Sequence, residues 1–371
     1  MNSSTPVQFT TPAGPIVGRR DGAVLRATGI RYARAGRFQP PVPEPASGTP
    51  IDATSPAPAC PQVADARLNE VLGDLYNELG YSEDCLRLSV TLPADGRPGE
   101  QLPVLVWVHG GSYVTGAGDL PIYDPAALVT EQRVVFVAVT YRLGLLGFLG
   151  GEGGGPPNLG LLDLLAALRW VQRNIAALGG NPALVTLLGH SSGADAIAQL
   201  MLVPDAADLF RRVILHSAPL GLTRNRHAMS RAMLAAAGPL SPTAPVDDIL
   251  ARESMVVKAV RWFGLKSGMP FGPQYGAAPL PPEAAVERTW AAVAPQIDVL
   301  IGATAEETRF FAVIEPTLNW LPRLPLLGSP LVRTLTRASS KRIYLHPALA
   351  FARRHARAGG RAGIRPCTGY W

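Results

Sequence analysis

The chain has 371 residues, 47% hydrophobic and 17% charged, with 38 glycines and 36 prolines, which excludes a disordered chain and a coiled coil and implies a packed, loop-rich globular protein. Thirty-four Lys and Arg against 28 Asp and Glu give a net charge of +6, but residues 1–315 hold 24 of the cations and all 28 acids, while ten cations from Arg323 to Arg365 follow. Such a one-sign block reads either as a tail for an anionic partner or as a stretch deprived of its context, and it lacks the interleaved aromatics of a nucleic-acid stacking surface.

The opening MNSSTPVQFT has neither a basic n-region nor an apolar h-region, so it predicts a cytoplasmic protein without a signal peptide. Val104–Val108 reads as a buried strand running into His109-Gly110-Gly111, and Val134–Thr140 as the next. The longest apolar stretch, Val134–Gly151, carries Arg142 in its middle and reads as a strand plus turn, not a membrane span. Gly151–Pro157 is a loop; beyond it Leu164, Leu165, Leu168, Val171 and Ile175 fall at helical spacing, with Gly179-Gly180 as a stop. Leu184–Leu188 predicts a strand, Ala194–Leu202 a helix, and Val213–Leu215 and Val299–Ile301 further strands. Strand and helix in repeated alternation imply a mainly parallel sheet with helices on both faces.

Two glycine-rich turns carry the chemistry. Gly189-His190-Ser191-Ser192-Gly193 matches G-x-S-x-G between a strand and a helix, where a sharp turn lifts a serine hydroxyl clear of the backbone. His109-Gly110-Gly111-Ser112 follows a strand and resembles the turn whose amides form an oxyanion hole. Each alone also has a reading as a tight turn; in this order, between these elements, they point to acyl transfer, with Ser191 as nucleophile and Gly111, Ser112 and Ser192 as amide donors.

Further blocks extend the pattern: Gly29-Ile30-Arg31-Tyr32-Ala33, Arg37-Phe38-Gln39-Pro40-Pro41, Ser82-Glu83-Asp84-Cys85-Leu86, Thr140-Tyr141-Arg142-Leu143-Gly144, Asn158-Leu159-Gly160-Leu161-Leu162-Asp163, Trp170-Val171-Gln172-Arg173-Asn174-Ile175 and Gly179-Gly180-Asn181-Pro182. In these collinear blocks the chain resembles the type-B carboxylesterases, which include cholinesterases and bacterial para-nitrobenzyl esterases, from near the N-terminus to about residue 350. The resemblance implies an α/β-hydrolase fold, a small-molecule ester substrate, and no cofactor or metal. It gives the triad acid to Glu307 in Ile301-Gly302-Ala303-Thr304-Ala305-Glu306-Glu307, where the alternative is a pair of acids at a helix N-terminus. It implies a structural Arg37–Glu83 ion pair. It also implies a Cys60–Cys85 disulfide, closing a loop of about 25 residues worth roughly 3 kcal/mol, with a reduced pair equally compatible with the missing signal peptide.

Three features depart from the family pattern. His190 stands where an acid is usual, Ser192 where Ala is commoner, and Thr308 where Gly follows the triad acid. The late loop that supplies the family's catalytic histidine has no counterpart: only His346 and His355 follow Glu307, both as unfavoured candidates for the base. The expectation is therefore a C-terminally incomplete hydrolase domain over residues 1–350 and an Arg-rich tail over 351–371, leaving the sheet short of its last strands with an unpaired edge. Function divides between an ester hydrolase, weak in this chain, and a non-catalytic or degenerate relative. Leu318–Leu331 is a candidate lining for an acyl or alcohol pocket.

Overall fold

The computed structural model describes residues 5–63, 79–96, 100–150, 155–309 and 328–367, with 328–331 and 364–367 described by their backbone. Short turns at Pro12-Ala13 and Gly22-Ala23 separate three stretches that pair as antiparallel strands, β1 (Pro6–Thr11), β2 (Gly14–Asp21) and β3 (Val24–Arg31). β4 (Ala33–Arg34) and β5 (Val42–Pro43) form a side ribbon, and β6 (Ile51–Asp52) lies parallel to β2. β7 (Arg87–Pro93) pairs antiparallel with β3. β8 (Leu102–Val108), β9 (Val135–Val139), β10 (Gly180–His190), β11 (Arg212–His216), β12 (Asp298–Thr304) and β13 (Ala362–Cys367) run parallel. Among the described residues the main sheet has eleven strands in the order β1-β2-β3-β7-β9-β8-β10-β11-β12-β13, with β6 beside β2.

The parallel strands are apolar on both faces because helices cover both. α1 (Ala126–Gln132) joins β8 to β9 and packs Val129 against Trp107, Phe136 and Ala138. The alternate residues Val135, Val137 and Val139 enter the larger core with α2 (Leu159–Asn174) and α3 (Ser192–Leu200). α4 (His227–Ala237), α5 (Val246–Ala259) and α6 (Val286–Val293) fill the connection from β11 to β12. α7 (Gly328–Ser340), a wide turn at Lys341–Leu345 and α8 (His346–Arg357) lead toward β13.

The Arg142 that interrupts the apolar stretch is buried against the fully buried Asp163 of α2, donating through Nη2 at 2.6 Å and Nε at 2.8 Å. A paired charge is the form in which a core tolerates arginine, and the pair ties the exit of β9 to α2. Arg37 and Glu83 also pair, Nε to Oε2 at 2.8 Å. Cys60 and Cys85 are buried free thiols, and the Cys60 neighbour together with burial raises the Cys85 thiol well above its ordinary pKa.

At the C-terminal side the structure departs from the expected unpaired edge. Ala362–Cys367 pairs with β12 from Val299↔Ala362 to Thr304↔Cys367 and satisfies hydrogen-bonding groups that β12 would otherwise expose. The expected boundary at 350/351 falls inside α8, whose Phe351 joins the main core. The arginines of this segment find acids in the body of the chain: Arg337 with Glu306 at 3.1 Å and Arg354 with Glu287 at 2.6 Å. Residues 310–327, most of the proposed pocket stretch Leu318–Leu331, lie outside the described residues. Among the described residues no helix is long and apolar enough to cross a membrane.

Glu253 of α5 is 5% exposed and accepts the Leu145 N–H at 2.9 Å, and burial pushes its carboxyl from 4.5 up to about 7. The folded state thus holds a proton that the unfolded chain releases, so stability falls as pH rises from 4.5 toward about 7. Glu253→Gln should stabilise the protein at pH 8 by an amount on the order of 3 kcal/mol, shrinking toward pH 5, as read by thermal unfolding of both proteins across that range.

Candidate active site

Strand β10 ends at His190 and α3 begins at Ser192, leaving Ser191 alone on the corner with φ 55° and ψ −125°. A residue with a side chain in this region is strained. The corner is held by backbone bonds: Ser191 N–H donates to His216 O of β11 at 2.9 Å, and Asp195 N–H donates to Ser191 O at 3.0 Å. Ser191 Oγ has no hydrogen-bond partner among the described residues. The Ser192 amide opens the helix with no carbonyl behind it to accept its hydrogen.

The second turn follows β8 and lies directly against the first. A Cβ on Gly110 would stand 3.2 Å from Ser191 Cβ, and one on Gly193 would stand 2.1 Å from Val108 O. Only glycine permits backbone approach this close. Gly111, Ser112 and Tyr113 take φ values of 108°, 55° and 63° in succession. The Gly111 and Ser112 amides have no acceptor among the described residues, while Tyr113 N–H donates to Ser192 Oγ at 3.3 Å.

Glu307 comes to the same edge of the sheet from β12. Its Oε1 accepts from Ser217 Oγ and from Thr304 N–H, and Ser217, directly after β11, donates its own N–H to Gly302 O at 2.8 Å. Glu306 turns the other way, toward Arg337 at 3.1 Å and Arg309 at 3.3 Å. Two adjacent acids are thereby separated into a surface ion-pair centre and a hydrogen-bonded carboxylate at the C-terminal ends of the strands.

His190 and His216 are register partners at the ends of β10 and β11. Each keeps an exposed face, yet partial burial of the ring lowers its pKa below the ordinary histidine value, and for His190 the Glu307 carboxylate opposes that shift. The two late histidines sit elsewhere. His355 is buried beside Phe351, with Nε2 at 2.7 Å from Ile297 O, and His346 is exposed at the start of α8. Among the described residues no imidazole hydrogen-bonds to Ser191 Oγ or to Glu307. Ser217 and His216 were missed by sequence reasoning; the signal was their place directly at the end of a parallel strand, where α/β sheets build their sites.

A serine on a strained strand-to-helix corner at the C-terminal edge of a parallel sheet, backed by a glycine turn from the neighbouring strand, defines an α/β-hydrolase. A carboxylesterase-family profile matches residues 5–320, and the chain belongs to the carboxylesterase family, whose members are serine hydrolases. It is 40% identical over 368 residues to a probable N-octanoylanthranilate hydrolase of Rhodococcus erythropolis, covering 96% of this chain and 80% of the relative. It is 40% identical over 216 residues to the para-nitrobenzyl esterase of Bacillus subtilis, covering 56% of this chain and 43% of that protein. A thermophilic para-nitrobenzyl esterase superposes with a TM-score of 0.78 at 31% identity, over 99% of this chain and 80% of that one.

Gly193→Ala should push α3 off the end of β8 and cost on the order of 2–4 kcal/mol. Gly48→Ala, where a Cβ would meet nothing within 4 Å, should be close to neutral. Thermal denaturation of the two variants beside the parent checks the contrast.

Proposed function

We propose that this chain hydrolyses carboxylic esters of small molecules through Ser191, by way of an acyl-enzyme. Ser191 Oγ attacks the ester carbonyl as its proton passes to a base, and the carbonyl oxygen becomes an oxyanion received by the Gly111, Ser112 and Ser192 amides. Collapse expels the alcohol, which takes up the proton; water then adds to the acyl-enzyme and releases the acid, returning the hydrogen to Ser191. Glu307 is the acid that orients the base. The observation that carries this reading is the unpaired pair of Gly111 and Ser112 amides beside a serine on the strained corner. Likeness along nearly the whole chain to an N-octanoylanthranilate hydrolase supports medium-length acyl groups as the substrate class.

The base sets the rate. With no imidazole bonded to Ser191 Oγ among the described residues, acylation relies on solvent or on a loosely placed histidine, and loss of a triad member leaves about 10³–10⁴-fold over water. The same observation favours the second reading, a relative that keeps the fold without turnover, and a fluorophosphonate separates the two by rate because only an activated serine reacts with it quickly.

The 371-residue chain should hydrolyse para-nitrophenyl esters slowly, and added imidazole should raise the rate on the order of tenfold by standing in for the base. Ser191→Ala should remove both the slow turnover and the imidazole-dependent gain beyond the buffer background. Equal rates for the parent and Ser191→Ala, with and without imidazole, would refute the assignment.

A further inference from the structure

We propose that Tyr113 and Asp195 are positioning residues, a buried latch that holds the Gly111–Tyr113 turn in the conformation that aims its two unpaired amides toward Ser191. The inference rests on the reading of those amides as oxyanion donors. Ser112 and Tyr113 are consecutive non-glycine residues at positive φ, 55° and 63°, a conformation that L-residues leave unless something holds them. Tyr113 is 0% exposed and held at every polar atom: Oη donates to Asp195 Oδ2 at 2.7 Å, N–H donates to Ser192 Oγ at 3.3 Å, and O accepts from Gly144 N–H at 2.7 Å. Its ring packs 4.5 Å from that of Phe148.

Asp195 stands one turn into α3, the helix that opens beyond Ser191, so the Tyr113–Asp195 bond ties the glycine turn to the serine's own helix. The carboxylate is fully buried and its second oxygen accepts from Gln199 Nε2 at 3.0 Å; Gln199 Oε1 in turn accepts from Tyr275 Oη at 2.9 Å. The chain of bonds is complete from Tyr113 to Tyr275, the condition under which a buried polar network fixes one geometry. Burial pushes the Asp195 carboxyl from 3.8 up to about 6, against the hydrogen bonds from Tyr113 and Gln199 and the charge of Arg226, which is spent on the Met269, Pro270 and Leu222 carbonyls. An apolar pair would fill this space without an ionisable group, whereas this satisfied network fixes the geometry of the turn.

The roles are separable from packing. Tyr113→Phe keeps the ring and removes only the hydroxyl. It should slow fluorophosphonate labelling of Ser191, and kcat on para-nitrophenyl esters, at least tenfold with KM little changed. Asp195→Asn retains an acceptor and should lose less than Asp195→Leu. Labelling by the parent should fall as pH drops through about 6, where Asp195 takes up a proton and surrenders an acceptor, and Asp195→Asn should lack that limb. Hydrogen exchange of the Val114 and Thr115 amides, both bonded to Gly111 O, reads the turn without catalysis: Tyr113→Phe should speed it about tenfold while β10 stays protected. If Ser191 fails to label even in the parent, the proposed function fails and the exchange result decides the latch. Unchanged exchange in a folded Tyr113→Phe protein, or unchanged labelling where the parent labels, overturns the inference.

Discussion

Helix α3 meets the end of β8 at backbone distance, and the rest of the C-terminal edge depends on that contact. Because Gly193 has no side chain, the helix start can press against Val108 O and His109 O, and because Gly110 has none, the turn after β8 can lie against His190 and Ser191. The two turns thereby share one corner of the sheet, with Ser191 beside the turn that follows the neighbouring strand. Moving the helix outward by one methyl would separate the groups proposed to act within hydrogen-bond reach of one another.

Electrostatics around that corner follow burial. Charges in the core are paired or hydrogen-bonded: Arg142 with Asp163, Asp195 with Tyr113 and Gln199. The cationic C-terminal block, which as a sequence looks like a free tail, spends part of its charge on Glu306 and Glu287. Surface pairs of this kind contribute little stability singly. They link α7 to the turn after β12 and α8 to α6, with Glu306 facing the arginines and Glu307 facing Ser217.

The strands β8 to β12 were legible because buried parallel strands read as apolar runs ended by turn residues. The two turns that carry Ser191, Gly111 and Ser112 were legible because glycines mark sharp turns and close backbone approach. The antiparallel strands β1 to β3 were not assigned, although Asp21-Gly22 between two alternating stretches is a hairpin signal; their half-exposed patterns give weak contrast. β13 was hidden by Gly363, which weakens strand character, and by Pro366, which sheets accept only at an edge, and the edge is where it lies. The Ser217–Glu307 bond joins residues 90 apart, and Tyr113 and Asp195 are likewise brought together only by the fold. No local pattern announces such pairs.

The proposed mechanism turns on where the oxyanion is held. A crystal structure of the chain after reaction with a fluorophosphonate tests it directly, because the phosphoryl oxygen occupies the place of the developing charge. Phosphorus should be bonded to Ser191 Oγ with its oxygen roughly 3 Å from the Gly111, Ser112 and Ser192 nitrogens. Phosphorus on another residue, or an oxygen turned to solvent away from those amides, would contradict it.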